Sequence, residues 1–393
     1  MRKAAPNGWR LVVLKFLAHY TDLYGPLRVF DSITFRAVVG VALTFFLALG
    51  FGGAFIRRLI RLQALEDVSK PDSATLEKLH AWKRGTPTMG GLLVVAAMVA
   101  GIVISCDPAN PFVLLGLGVL LSFGFLGFLD DRVKLRRQGR QGFTKRQKLL
   151  CQIVLAGVAA VGVWQCAESG AFKVTDVEKL ETAGGEAYRL RKVSDGTESL
   201  LIPFTKWADV RPSLGAAYYL FFVLVIVAGA NAVNLTDGLD GLASGCTIMV
   251  ALTYAVLAYV IGNAALSWFF RIPFVPGSGE LAVYCAVMVG AVMGFLWFNA
   301  HPAQVFLGDT GSLALGASIA YVALVIKHEL VLVVAGGIFV LEAASVLLQM
   351  TSFRVAGRRI LKCAPFHHHL EFCGWHENKV VVRLWMVGVI LAA

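Results

Sequence analysis

The chain reads as an all-α polytopic membrane protein of about ten transmembrane helices with a small periplasmic β-hairpin, and three observations predict this. Hydrophobic residues make up 57% of the 393 positions and charged residues only 16%, outside the range of soluble globular chains. Apolar runs of about twenty residues recur along the whole chain, the length a helix needs to cross roughly 30 Å of hydrocarbon. Lys and Arg gather between those runs in alternate connections, as the positive-inside rule requires.

Reading apolar runs between polar breaks places spans near 34–56, 86–105, 111–129, 149–166, 214–233, 241–261, 279–298, 311–326, 331–353 and 380–393. They form one membrane domain over 1–393, with 168–212 as a loop insertion within it. The first segment carries Arg2, Lys3 and Arg10 before a short apolar stretch that Lys15 interrupts. It lacks a small-residue cleavage pattern, so it reads as an interfacial helix around Trp9 to Tyr20 and not as a signal peptide.

The connection after the first span holds Arg57, Arg58, Arg61, Lys70, Lys78, Lys83 and Arg84. The connection after the third holds Arg132, Lys134, Arg136, Arg137, Arg140, Lys145, Arg146 and Lys148. That face is predicted to be cytoplasmic. The long 168–212 loop is predicted to be periplasmic, since long loops translocate largely regardless of charge. Within it, Tyr188 to Val193 and Leu200 to Phe204 flank Asp195-Gly196 and suggest the hairpin. The seven cysteines are odd in number and mostly lie in apolar runs, so no disulfide framework is expected. The net charge of +11 sits where membrane orientation and phosphate binding place it, which argues against a nucleic-acid partner.

Carboxylates are costly near hydrocarbon, so those at span ends carry the information. Asp130 and Asp131 close the third span; Asp237 and Asp240 lie in Asn234-Leu-Thr-Asp-Gly-Leu-Asp-Gly241; Asp309 lies in Phe306-Leu-Gly-Asp-Thr-Gly311. All fall on the face predicted to be cytoplasmic, together with His80, Lys83 to Gly91, and the triplet His367, His368 and His369. Helix caps would scatter over both faces. Carboxylates, histidines and glycine-rich turns on one face point to a shared site, in which hard oxygen ligands suit Mg²⁺ bridging phosphates while lysines and backbone amides hold anions.

These segments resemble the phospho-N-acetylmuramoyl-pentapeptide transferase family of the polyprenyl-phosphate phosphosugar transferases. The resemblance rests on Gly85-Thr-Pro-Thr-Met-Gly-Gly91, the Asp130-Asp131 pair, Asn234 to Gly241, Asp309 and the three histidines, and runs to Val380-Val-Val-Arg-Leu-Trp385. Departures are Leu370 after the histidines, where an aromatic is usual, and the length of the 168–212 loop.

The resemblance implies a bacterial inner-membrane enzyme with its active site on the cytoplasmic face. Such an enzyme moves phospho-N-acetylmuramoyl-pentapeptide from its UDP donor to undecaprenyl phosphate, forming lipid I and UMP in peptidoglycan synthesis. It implies Asp309 as the Mg²⁺ ligand, Asp130 as the group that deprotonates or orients the lipid phosphate with Asp131 in support, and Lys134 and Lys148 as phosphate holders. Asn234, Asp237 and Asp240 are then expected to face the uridine and diphosphate, and Phe306 to stack on uracil. Lys83, Thr88, Asn299, His367, His368 and His369 complete the expected pocket. The implied partners are undecaprenyl phosphate, UDP-N-acetylmuramoyl-pentapeptide and membrane lipids; monomer and homodimer both stay open.

Blander readings stand beside these. Cys363 and Cys373 bracket the histidines as a zinc motif would, but Arg358, Arg359 and Lys362 fit a phosphate site better. Glu342 lies mid-span, either functional or bonded to a neighbouring helix. Gly124 to Gly127 fits helix packing. A sister enzyme moving N-acetylglucosamine phosphate is the second function, disfavoured by the Thr86 to Met89 segment and the triple histidine. A carboxylate-driven transporter is the third, disfavoured because no inverted repeat is visible.

Overall fold

The computed structural model describes residues 14–17, 25–62, 83, 85–136, 142–182, 185–193, 196–203 and 211–393. His80 and most of the expected interfacial segment lie outside them; within that segment Leu14–Leu17 is one helical turn. The long helices are α1 (Ile33–Arg61), α2 (Gly91–Ser105), α3 (Pro111–Arg136), α4 (Lys145–Glu168), α5 (Ala217–Thr236) and α6 (Leu242–Ile261). Short α7 (Ala264–Phe270) precedes α8 (Glu280–Asn299) and α9 (Gly308–Val325). Then come α10 (Val331–Ala335), α11 (Gly337–Ala356), α12 (Phe366–Phe372) and α13 (Glu377–Ala392). Eight of the helices are long and apolar enough to cross a membrane. Every span read from the sequence coincides with a helix, except that 331–353 is broken at Gly336 into α10 and α11.

The helices sort by which faces they hide. On α1 the buried residues Arg36, Gly40, Thr44, Ala48, Gly52 and Ile56 recur every four positions, while Val38, Phe46 and Phe51 are exposed. This is one packed stripe with an apolar outer face, the arrangement of a helix whose other side meets lipid. By contrast α9 is buried at every residue from Asp309 to Val325, so it forms the axis of the bundle. Small residues let its neighbours approach. A Cβ on Gly127 of α3 would lie 2.2 Å from the Asp309 carbonyl oxygen, and one on Gly91 would lie 2.1 Å from Gly311 N. The glycine-rich stretch of α3 is therefore a packing surface, as its composition suggests.

Several polar side chains inside the bundle are paired across helices. Arg36 makes a two-pronged contact with Glu280 of α8, at 2.7 and 2.6 Å, and donates to the Ser105 carbonyl at 3.1 Å. Glu280 also accepts from Asp107 N. Gln152 of α4 and Asn231 of α5 exchange amide hydrogen bonds at 2.6 and 3.4 Å.

The connectivity puts α4's first turn at the carboxylate end and its last turn at the opposite end, where the inserted hairpin begins. The hairpin pairs β1 (Thr175–Thr182) with β2 (Gly185–Lys192), Thr182 opposite Gly185. This corrects the sequence expectation: the partner of the Tyr188 to Lys192 segment is Lys179 to Thr175, not Leu200 to Phe204. The physical reason lies in side-chain pairing, because this register sets Asp176 opposite Arg191, Glu178 opposite Arg189, and Val177 opposite Leu190. Thr175 and Phe274 exchange backbone hydrogen bonds at 2.9 Å and fasten the hairpin to the connection before α8. A buried ammonium holds the following segment. Lys327 donates to Thr197 O at 3.2 Å, lies 3.2 Å from Glu329 and sits 3.5 Å from the Tyr218 ring centroid. Burial pulls its pKa below the ordinary lysine value despite the opposing pull of Glu329.

The Arg36–Glu280 pair generates a test. Arg36→Met leaves Glu280 buried without its main counter-charge, at a cost of about 3–5 kcal/mol, whereas replacing both partners by apolar residues of similar size recovers most of it. Thermal unfolding in detergent should rank the parent and double variant close together and the single variant well below.

Candidate active site

Four sequence-distant elements meet at one end of the bundle. A capping box, in which Thr144 and Gln147 exchange hydrogen bonds at 3.2 and 3.1 Å, starts α4 four residues earlier than the apolar run alone indicates. Lys148 is thereby placed in the first turn, facing the end of α3. On α3, Asp130 and Lys134 are one turn apart and lie 3.1 Å from each other. Asp309 opens α9.

These side chains form one cluster. Asp309 Oδ2 lies 2.7 Å from Lys134 Nζ and 2.5 Å from Lys148 Nζ, and Asp130 Oδ2 lies 3.3 Å from Lys148. Asn234 at the end of α5 donates to Asp309 Oδ1 at 2.7 Å and to Ser312 Oγ at 2.8 Å. Asp131 is committed to the start of α9. Its Oδ1 accepts from Asp309 N at 3.2 Å, while Oδ2 accepts from Thr310 N at 3.0 Å and Thr310 Oγ1 at 2.7 Å. It thus caps a helix N-terminus that has no side-chain cap of its own. Asp130 Oδ1 accepts from Phe143 N at 2.6 Å.

A second cluster surrounds Lys83, whose ammonium lies 2.7 Å from Asp240 and 2.6 Å from Glu377. Glu377 also accepts from Asp240 N at 2.9 Å, and Asp240 Oδ2 meets His301 Nδ1 and Ala303 N, each at 3.1 Å. The Lys83 ammonium stands 5.8 Å from the Phe306 ring centroid. Asp240, His301 and Glu377 could together ligate a metal by proximity, but the Lys83 ammonium already sits between the two carboxylates. We read the group as an ion-pair network. Burial alone would lower the Lys83 pKa, yet Glu377 and Asp240 outweigh it and hold the ammonium above its ordinary value of 10.5.

The two clusters share a backbone. Phe306 N donates to Pro87 O at 2.9 Å, Gly90 N to Phe306 O at 2.8 Å and Gly91 N to Leu307 O at 2.8 Å. Half-buried Thr88 sits at this junction, close beside Gly308. Gly308, at φ +72°, takes the left-handed turn that lets α9 begin there.

The structure redistributes several expected site residues. Asn234 joins the Asp309 cluster and not the Asp240 side, while Asp237 is the C-cap residue of α5. Asn299 is used internally, accepting from Ser244 Oγ at 2.8 Å and donating to Val305 O at 3.0 Å; it braces the loop that carries His301 and Phe306. The rings of His367 and His368 pack edge to face with centroids 4.2 Å apart, but the nitrogens of the three histidines find different partners. Consecutive residues on a helical turn point about 100° apart, so buried His367 faces Glu342, His368 faces Glu371 at 2.7 Å, and His369 Nδ1 accepts from Lys362 N at 3.1 Å. Cys373 approaches only His369, at 3.8 Å, and among the described residues no zinc-like group forms from Cys363, the histidines and Cys373. Sequence reasoning missed Glu377, Thr310, Ser312 and His301 as site-forming groups. His301, Thr310 and Ser312 lie in or beside the Phe306 to Gly311 segment and shared its signal, whereas Glu377 offered none.

Lys83 yields a pH prediction. Because its folded pKa is raised, the ion pair's contribution is fully present below 10.5 and is lost as pH rises through the higher folded value. Lys83→Met leaves two carboxylates facing each other and should cost about 3–5 kcal/mol. The stability gap from the parent should stay constant between about pH 6 and pH 9 and narrow only in strong alkali; denaturant titration at stepped pH measures it.

With that geometry in place, comparison with known families is direct. The family described as glycosyl transferase family 4 matches residues 113–327, from α3 through α9, more than half of the 393 residues. Phospho-N-acetylmuramoyl-pentapeptide-transferase signature 1 matches residues 83–95, the stretch that carries Lys83, Thr88 and the strand-like contact to Phe306. The chain belongs to glycosyl transferase family 4 and, within it, to the phospho-N-acetylmuramoyl-pentapeptide transferases, multi-pass membrane enzymes that pass their phosphosugar from a UDP-linked donor to a polyprenyl phosphate in peptidoglycan synthesis.

Proposed function

We propose that the Asp130, Asp309, Lys134 and Lys148 cluster is the phosphoryl-transfer centre, that it works with Mg²⁺, and that it lies on the cytoplasmic face of the inner membrane. The observation that carries this reading is the convergence of Asp309 Oδ2 and Asp130 Oδ2 on the same two ammonium groups. Two carboxylate oxygens aimed at one cationic position form a hard-oxygen donor set, and Mg²⁺ usually takes one or two carboxylates plus substrate phosphates. The residues fit the ion. Asp309 would hold it, with Asp130 nearby, and it would supply charge neutralisation on the transferring phosphate.

The acceptor is undecaprenyl phosphate and the donor UDP-N-acetylmuramoyl-pentapeptide. An oxygen of the lipid phosphate bonds to the donor's β-phosphorus while the bond from that phosphorus to the bridging oxygen breaks, so UMP leaves and lipid I forms. One phosphoanhydride replaces another, so catalysis is mainly positioning and charge stabilisation. Lys134, 42% exposed at its side chain, has room to turn from the carboxylates to a phosphate. Lys148 offers the same charge from α4. Asp130 stands where it can take a proton from the lipid phosphate or orient it. Lys83, Asp240 and Phe306 form the nucleotide side, with Phe306 presenting a ring for the base.

Asp309→Asn keeps size and one acceptor oxygen but removes the charge facing both lysines. Turnover of the folded variant should fall by a factor on the order of 10²–10³ with an altered Mg²⁺ requirement, whereas Asp240→Asn should act mainly on donor KM. Near-parental turnover and an unchanged Mg²⁺ titration for Asp309→Asn would remove Asp309 from the metal role. Orientation is checked separately. A cysteine introduced in the 168–212 insertion should label from outside intact cells and one near Arg137 should not; the reverse pattern inverts the assignment.

A further inference from the structure

Glu342 lies inside α11 with its side chain fully buried. Its partners all belong to one residue: Oε1 and Oε2 accept from His367 N at 3.2 and 3.3 Å, and Oε2 faces His367 Nδ1 at 3.0 Å. A carboxylate in a membrane bundle is retained only where something repays its desolvation, and here the return is the fixed pose of one imidazole. With Nδ1 donating to Glu342, the ring presents Nε2 on its far side. That nitrogen is buried and has no hydrogen-bond partner. It abuts the Asp237 to Asp240 turn so closely that a Cβ on Gly238 would fall 2.3 Å from it.

We infer that Glu342 is a positioning residue for the transfer reaction, holding His367 in the tautomer and orientation that aim Nε2 at the substrate across the Gly238 turn. The inference rests on the reading of this end of the bundle as the transfer site. Gly238 has the role of admitting the ring: with no side chain there, Nε2 packs against the turn between Asn234, a member of the Asp309 cluster, and Asp240, a member of the Lys83 cluster. Glu342 never touches substrate. It acts through His367, as second partners of ligating histidines do.

The test is Glu342→Gln in the full chain, assayed in detergent with donor and polyprenyl phosphate. An amide has one acceptor oxygen where the carboxylate has two, and both carboxylate oxygens here lie within reach of the His367 N–H while Oε2 also meets Nδ1. The amide's NH₂ group must oppose one of these two donors or drive the ring to the other tautomer. We expect kcat to fall on the order of 10–100-fold, the range for partners that orient a functional histidine, with donor KM little changed. The ¹⁵N signals of the His367 ring should show Nδ1–H in the parent and lose that pattern in the variant, without substrate present. His367→Gln, whose side-chain amide stands near the Nε2 position and can turn its oxygen there as an acceptor without needing Glu342, should make the second change redundant, so the double variant should be no worse than His367→Gln alone.

Parental kcat and an unchanged ring spectrum in Glu342→Gln overturn the proposal, as does full additivity with His367→Gln. If Glu342→Gln does not fold, Gly238→Ala gives the same decision. It should lower kcat while the Nδ1–H signal persists, and parental turnover for it would sink the idea. Absence of transferase activity in the parent chain would count against the site reading itself, a distinct outcome.

Discussion

The arrangement depends on one constraint: α9 is buried on every side, and its first turn carries backbone N–H groups that must find acceptors without water. Asp131 meets that demand from α3 by accepting from Asp309 N and Thr310 N. A carboxylate can do so only if the two helices nearly touch, and Gly127, one turn earlier on α3, permits it, since any Cβ there would collide with the Asp309 carbonyl. Gly127, Asp130 and Asp131 act as one unit. The glycine sets the approach, Asp131 caps α9, and Asp130 is left facing the lysines beside Asp309. The chemistry of the site follows from how a central helix is made tolerable in an apolar bundle.

A second consequence concerns coupling between the halves of the site. The segment 87–91 runs alongside 306–307 through three backbone hydrogen bonds, so Phe306 near the Lys83 ammonium and Asp309 at the proposed transfer centre are three residues apart on one braced strip. Asn299 anchors the start of that strip through its bonds to Ser244 and Val305. Lys83, reached from α13 by Glu377, anchors the other side. Backbone pairing holds a short distance more rigidly than long side chains do, because fewer rotors must be frozen.

The helical part of this fold was legible because its signal is strong: apolar runs of spanning length leave few alternatives. The one-sided grouping of Asp130, Asp131, Asp240 and Asp309 was equally readable, since span order alone assigns faces. Three things were not. The hairpin register depended on cross-strand charge pairs between β1 and β2, whereas Asp195-Gly196 supplied a louder local turn signal. The different partners of the three histidines needed the knowledge that 366–372 is a helical turn, which points successive side chains at different neighbours. Glu377 is one polar residue opening a helix, and its meeting with Lys83 spans a sequence separation of 294, beyond the reach of local patterns. Glu342 could be singled out as an ionisable group in a span, but its partner could only be seen in three dimensions.

Charge supports the proposed cation. Three carboxylates, Asp130, Asp131 and Asp309, face two ammonium groups, Lys134 and Lys148, a sum of 2 − 3 = −1 before any substrate arrives. Lys83 likewise faces both Asp240 and Glu377, a further 1 − 2 = −1. A diphosphate and a lipid phosphate brought to this end of the bundle would add like charge where screening is weak and Coulomb forces are larger than in water. The lysines can each turn toward phosphate, but each then abandons a carboxylate, and the sum does not improve. Only an added positive charge relieves carboxylates and phosphates together, which is the electrostatic ground for proposing Mg²⁺ at Asp309. By the same reasoning Asp131, already neutralised in part by the N-terminus of α9, contributes least to the deficit, and the burden falls on Asp130 and Asp309, the pair whose oxygens meet at the lysines.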